Sequence, residues 1–488
     1  MKNKKMEVTK KFYEYFIDKQ FTDLTIIITN ENDKNDEIKI DVHRLIVCAN
    51  CLYFEKMLTG DFIEANKSIV KIDVPNTHIV YDIIMSFYGQ NTNSKNYETW
   101  YHVLMKIKCM DYLGIKLNPF LPHNFCVPSE GFELLIDSIN IIGYSDHNIK
   151  ILAQNLPINC DLANFSNEII TKICNSAKKY CAVILDEDFI KIIDIDNKTV
   201  LKKIAIDDVD GIFDHCVCSP NGRYAALYGI CGKICIYDLL FEKNIGYLEN
   251  YSKGCDTLCY TNDNSKIIIA KNNKIRIFDA VSKQLIKKIK IKYNINTLCH
   301  FSDTNQIICG TIKGAAIINI ENGEIIQNIL GRGNITSINI SPNGNNIVLC
   351  CKNNNNIISL WDKHLNKITH NIYVDCSFTC GSILNYANFT PCGKNIIFCT
   401  DERSIAIGMY NITKKLRHAY DHHDYVKIVK CTPDSKYIVY GGFGGQLCIK
   451  NIDANTTASI EINRVYLSNI DIIDYYDNPV ILQHIYSQ

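Results

Sequence analysis

Ser219-Pro220-Asn221-Gly222 stands between two short apolar, β-rich runs, and it comes back as Ser341-Pro342-Asn343-Gly344, Thr390-Pro391-Cys392-Gly393 and Thr432-Pro433-Asp434-Ser435. Proline presets φ for the first central residue of a turn, and Asn, Asp and Gly tolerate the backbone that follows. Each copy therefore reads as a tight reversal between antiparallel strands. Downstream, strands end on Asp or Asn: Ile193-Asp194, Tyr237-Asp238, Phe278-Asp279, Ile318-Asn319, Trp361-Asp362, Tyr410-Asn411 and Lys450-Asn451. Those positions lie 44, 41, 40, 43, 49 and 40 residues apart. A period of about 40–45 residues is that of a four-stranded propeller blade.

Seven such units fit. The first takes residues 168–174, 180–185, 189–195 and 200–206 as its strands, and the last takes 426–431, 437–440, 446–452 and 458–462. A single unit would leave two apolar faces in water, so closing the units into a ring is what buries them. The tail, 465–488, holds two further apolar runs, 470–473 and 480–482, which read either as an extra strand pair completing a blade or as a partial eighth blade.

Upstream the pattern changes. Val8, Phe12, Tyr15 and Phe16 share one helical face, followed by a β-rich run at 23–28 and a second at 38–42. Asn50 can cap a helix carrying Leu52, Phe54, Met57 and Leu58, and a further helix with Ile79, Ile83 and Phe87 stops at Gly89. Trp100, Leu104 and Ile107 continue at helical spacing. The fold class expected is thus multidomain: an α+β domain over 6–118, a connector with one short helix over 119–165, an all-β propeller over 166–464, and a tail or closing strands over 465–488.

At 488 residues the chain is long enough for these bodies, and its 52 basic and 52 acidic residues give no net charge that would favour nucleic acid or a membrane surface. The run Lys287-Lys288-Ile289-Lys290-Ile291-Lys292 alternates as an edge strand with lysines in water does, and reads as that. Met1-Lys2-Asn3-Lys4-Lys5 leads into a charged amphipathic segment, not a secretory core, so a cytoplasmic location is expected, with no membrane partner. The 23 cysteines are an odd number scattered through strands and read as small apolar side chains.

The stretches Phe21-Thr22-Asp23-Leu24, Val42-His43-Arg44-Leu45-Ile46-Val47 and Tyr53-Phe54-Glu55-Lys56-Met57-Leu58-Thr59-Gly60-Asp61-Phe62, followed by Ile83 to Gly89, resemble in order and spacing the landmarks of the BTB/POZ domain. That resemblance implies that Asp23 and His43 are buried structural polar residues. It also implies a homodimer, with Val8, Phe12, Tyr15 and Phe16 in the interface. Phe62-Ile63-Glu64 stands where some members dock a cullin, so the resemblance makes Phe62 and Glu64 the cullin contact and a host cullin a partner. The repeats resemble WD repeats, in which Trp361, Asp362 and His422 take structural places; the whole order is similar to BTB/POZ and WD-repeat proteins encoded by giant DNA viruses of amoebae, which places the chain in host cytoplasm.

Signatures of chemistry are missing from the sequence. There is no phosphate-binding Gly-x-x-x-x-Gly-Lys loop, no nucleophile elbow and no His-Glu-x-x-His helix. Gly441-Gly442-Phe443-Gly444-Gly445 does not open a helix and reads as a β-turn. The pairs Cys216/Cys218, Cys231/Cys235, Cys255/Cys259 and Cys376/Cys380, with His418, His422 and His423 elsewhere, sit on strand-like runs and not on converging turns, so structural burial is favoured over zinc. No catalytic residue, cofactor or metal is therefore expected. The reading is a non-enzymatic adaptor that dimerises, captures a client protein on its propeller and serves as a cullin ligase receptor; the alternative is a dimeric scaffold without a ubiquitin link.

Overall fold

In the computed structural model the described residues are 11–90, 99–207, 213–229, 232–248, 251, 253–302, 304–330, 333–352, 357–373, 384–400, 407–413, 417–420, 425–463, 467 and 469–487. The chain divides into two compact units, one of Met1–Lys178 with Tyr476–Gln488 and one of Lys179–Tyr475.

The first unit begins with helix α1 (11–17) and strands β1 (Leu24–Asn30) and β2 (Glu37–Val42). A third strand, β3 (Ile69–Val74), pairs parallel with β1 while β2 pairs antiparallel on its other side. The sequence reading of a bare strand pair omitted β3, although its alternation is complete: Val70, Ile72 and Val74 point inward and Ile69, Lys71 and Asp73 outward. A parallel neighbour needs a long crossover, and α2 (Arg44–Asn50) and α3 (Leu52–Thr59) lie within it. Asn50 closes α2 through its Nδ2, which donates to the Ile46 carbonyl at 2.8 Å, and does not cap α3, whose N-cap is Cys51 with no side-chain cap. Leu24, Ile26 and Ile28 of β1 pack with Phe54 and with Val80 and Ile84 of α4 (Thr77–Phe87) in the first core.

Helix α4 is capped by Asn76, which accepts from the Ile79 amide at 3.0 Å. Then come α5 (Trp100–Tyr112), α6 (Phe132–Ile142), α7 (Asp146–Gln154) and α8 (Asn167–Ala177). Residues 168–174, read above as a strand, are thus helical. Ser166 caps α8, Glu168 and Lys172 pair at 2.7 Å one turn apart, and the buried Ile170 and Ile173 lie on one face. Ile173 joins a second core with Leu104, Leu135, Ile139 and Leu152, completed by Val480 and Ile481 of the C-terminal helix α9 (Pro479–Ser487). The 480–482 run is therefore helix, not strand.

The second unit holds seven four-stranded antiparallel sheets among the described residues. Six are contiguous in sequence. The seventh joins β4 (Lys179–Asp186), β5 (Phe189–Asp194) and β6 (Thr199–Ala205) to Asp471–Tyr475, which pairs antiparallel with β4 from Asp471 opposite Val183 to Tyr475 opposite Lys179. The strand expected at 168–174 is thus supplied by the tail. The first strands of successive sheets are neighbours in order, and Asp471–Tyr475 lies beside both Val426–Cys431 and His215–Cys218, so the circuit closes.

The repeat has a hydrogen-bond basis. Ser219 Oγ accepts from the Tyr224 amide at 2.9 Å and donates to Asn221 Oδ1 at 2.7 Å, and Ser341 with Asn343 and Thr432 with Asp434 repeat the arrangement. Gly222 (φ +73°) and Gly344 (φ +72°) supply the left-handed residue that each reversal needs. Thr261 and Asp263 form the same turn without proline, a copy the Pro-based motif passes over. The periodic Asp or Asn works at the next corner: Asp238 Oδ1 accepts from Leu240 and Phe241 amides, Asp279 Oδ1 from Val281 and Ser282, and Asp362 Oδ1 from His364 and Leu365. At these three corners a carboxylate holding two amides fixes the third-to-fourth strand turn, and the Asn319 amide oxygen does the same with the Glu321 and Asn322 amides, which is why that position keeps its period.

Candidate functional site

Two surfaces of the first unit gather the residues singled out for partner contact. On α1, Phe12 and Tyr15 are 42% and 37% exposed, whereas Phe16 turns inward, its ring 4.6 Å from that of Tyr88. The apolar face is thus split: Phe16 anchors the helix and Phe12 with Tyr15 remain open. Val8 lies outside the described residues.

Asp23 and His43 organise this corner. Asp23 is exposed and not buried, because it sits at the entrance of β1, yet its Oδ1 accepts from the Arg44 amide at 2.7 Å and so caps α2 from outside. His43 is half-buried. Its Nε2 lies 2.9 Å from the Gln20 carbonyl, which can only accept, so Nε2 carries the proton and Nδ1 accepts from the Tyr88 hydroxyl at 3.1 Å. Tyr88 is buried, which pushes its phenol up to about 12, and its oxygen also accepts from the His43 amide at 2.9 Å. His43 thereby ties the Gln20 backbone to the core.

Phe62 and Ile63 are 59% and 78% exposed at the start of the 3-10 turn Ile63–Asn66. Glu64, half-buried, pairs with Lys67 at 3.4 Å. Arg44, which the sequence reading did not select, fixes this turn: Nη1 donates to the Ala65 carbonyl at 2.8 Å and Nη2 to that of Lys67 at 2.6 Å. A guanidinium fork closing two carbonyls from another helix leaves no local sequence signal, since its partners are main-chain atoms twenty residues on. The structure therefore brings Asp23, His43 and Arg44 together, with the Phe62 turn held at the far end of Arg44.

In the second unit, Trp361 is buried and Asp362 forms its corner turn; His422 lies outside the described residues. The first strands of neighbouring sheets carry Lys430 and Asp471, 3.8 Å apart, with Lys430 Nζ 5.4 Å from the Tyr386 ring centroid. Burial raises the Asp471 carboxyl above its usual range despite the attraction of Lys430 and a hydrogen bond from the Cys218 amide. Cys216, Cys235 and Cys255 are buried in apolar clusters. Among the described residues no three His, Cys, Asp or Glu side chains converge as a metal would need. The Gly441–Gly445 run bridges Tyr437–Gly442 and Gln446–Asn451 as a strand connection. No helix of the described residues is long and apolar enough to cross a membrane.

Residues 12–116 match the BTB/POZ domain family, the same residues that form the three-stranded sheet and α1 to α5. The chain carries a BTB/POZ domain at its N-terminus. A BTB/POZ domain and WD-repeat protein of Acanthamoeba polyphaga mimivirus is 28% identical over 437 residues, covering 87% of this chain and 85% of that protein. A second mimivirus protein of the same description is 28% identical over 461 residues, covering 89% and 85%. A mimivirus BTB/POZ domain-containing protein reaches 41% identity over 165 residues, 34% of this chain and 61% of that one. The similarity thus runs through the BTB/POZ domain and the sheets alike, and both kinds of domain are protein-interaction modules.

Proposed function

We propose that this protein is a dimeric adaptor: the BTB/POZ domain pairs two chains and presents Phe62 and Glu64 to a cullin, while the ring of sheets holds a client protein. The observation that carries the reading is the Arg44-braced turn, which holds two large apolar side chains, Phe62 and Ile63, out in solvent on a fixed backbone. Exposing such groups costs solubility, and bracing the turn that exposes them reduces the ordering cost of binding.

Phe62→Ala should lower affinity for the host cullin by about 2 kcal/mol, roughly thirtyfold, as loss of a buried interface anchor does. Glu64→Ala should cost less, because Glu64 is at the rim and already paired with Lys67. The check is a pull-down of the host cullin with wild type and Phe62→Ala. No cullin with wild type removes the ligase reading and leaves the scaffold.

Dimerisation rests on the open part of α1. At micromolar concentration, light scattering should give the mass of two chains for the wild type and a shift toward one for Phe12→Asp, which puts a charge into the proposed interface. Phe62→Ala should leave the dimer intact, since it lies on a different turn.

A further inference from the structure

A groove of about 830 Å³ opens on the helical part of the first unit, between α6 and the segment 157–169 that leads into α8. Pockets that take up ligand or peptide side chains fall in this size range. Phe132, Ile136 and Asn140 stand one helical turn apart along its α6 wall, which is therefore about 12 Å long, the reach of about four extended residues. Ile136 and Tyr144 on this wall, and Phe165 and Ile169 on the other, pack on the second core with one part of the side chain and stand half-buried in the groove with the rest.

Three carboxylates edge this apolar floor: Glu130 just before α6, Glu133 in its first turn, and Asp161 on the other wall. No lysine or arginine lines the groove among the described residues, and no cation there pairs with any of the three. Cys160 responds to two of them at once. Burial first, and then the Asp161 and Glu133 carboxylates, push its thiol up, so acids from both walls act on one point inside the groove. Local helix chemistry accounts for the acids singly, since Glu133 favours the first turn of α6 and Asp161 Oδ1 accepts from the Ala163 amide at 2.9 Å. It does not account for half-exposed aromatic and aliphatic side chains set between uncompensated like charges.

We propose that this groove docks a basic segment of a partner protein. One apolar side chain of the segment enters between Ile136, Tyr144 and Phe165, and lysines or arginines on either side of it meet Glu130 and Glu133 on one wall and Asp161 on the other. The charge selects the sign of the partner: an acidic segment or a nucleic acid meets a repelling field, whereas a cationic one brings the counter-charge that the three carboxylates lack. The apolar floor selects against a bare polycation, since burying one leucine-sized side chain contributes about as much as several rim charges. The groove shares no residue with α1 or with the Phe62 turn, so this surface is additional to the two contacts proposed above and does not depend on them.

The test uses the full chain and a short fluorescent peptide, a leucine flanked on each side by lysine and arginine, followed by anisotropy. Binding should weaken as salt rises, and replacing the leucine by glycine should lower affinity about thirtyfold. Glu133→Gln and Asp161→Asn should each lower it about fivefold, the latter keeping an oxygen for the Ala163 amide, and the double variant about twenty-fivefold. Glu168→Gln changes an acid of α8 that does not line the groove and is already paired with Lys172 at 2.7 Å, so it should leave affinity unchanged. Equal binding of the glycine peptide, unchanged affinity in the double variant, an equal loss in Glu168→Gln, or tighter binding of a peptide with glutamate in place of its cations overturns the assignment.

Discussion

Ending the chain after Ile470 should abolish the cooperative unfolding of the whole second unit, a loss on the order of 5 kcal/mol or more and comparable with the stability of a domain. The strand removed, Asp471–Tyr475, is only five residues long, but it is the inner strand of the sheet that also contains β4, β5 and β6. Without it β4 becomes an open edge, and the first and last contiguous sheets lose the neighbour they share. Specific bonds go too. Asp471 Oδ2 accepts from the Cys218 amide at 2.7 Å and its other oxygen faces Lys430, so one side chain ties the first strands of two different sheets. Ile473, buried, sits under the Gly222 turn, where an added Cβ would lie 3.2 Å from its own. The truncation also removes α9, so a companion variant separates the two units. Ile481→Asp places a carboxylate in the second core of the first unit and should destabilise that unit alone. Hydrogen exchange resolved by segment is the measurement; unchanged protection of β4 and of Val426–Cys431 in the truncated chain would show that this strand does not close the ring.

How far the sequence carried this architecture depends on where each signal resides. The corner turns were legible because their chemistry is local: Ser219 and Asn221, or Asp362 and the next two amides, sit within a few residues of each other. The strand that completes the first sheet was not, because nothing in 168–174 says that Ile169, Ile170 and Ile173 repeat at helical rather than strand spacing over so short a run, and its replacement lies some three hundred residues away. On the BTB/POZ side, Phe62 and His43 were legible as motif positions. Arg44 was not legible, since its role consists of two bonds to distant carbonyls. The Lys287–Lys292 run was read correctly as an edge strand, but only the register showed that Lys271, Lys274 and Arg276 extend its charge inward.

The second large effect lies in the same sheet that the tail completes. Lys191 on β5 forms an ion pair with Asp186 at the end of β4, and both are almost wholly withdrawn from solvent, with side-chain exposures of 8% and 0%. Removing a carboxylate or ammonium from water costs several kcal/mol, which the attraction within the pair helps to offset. Lys191→Met keeps the length and apolar stem but removes the cation of this pair, so the second unit should lose about 3–5 kcal/mol. Removing both charges should be far milder: Lys191→Met with Asp186→Leu is expected within about 1 kcal/mol of wild type or above it, because a packed apolar pair needs no compensation. The pH response distinguishes this from simple loss of packing. Acidification neutralises the buried carboxylate that has lost the Lys191 cation, so the single variant should recover part of its deficit at low pH relative to wild type, while the double variant should show no such recovery. Urea unfolding of the three proteins across pH measures both. A deficit in Lys191→Met that is insensitive to pH and equal to that of the double variant would mean that the lysine stem, and not its charge, stabilises the sheet.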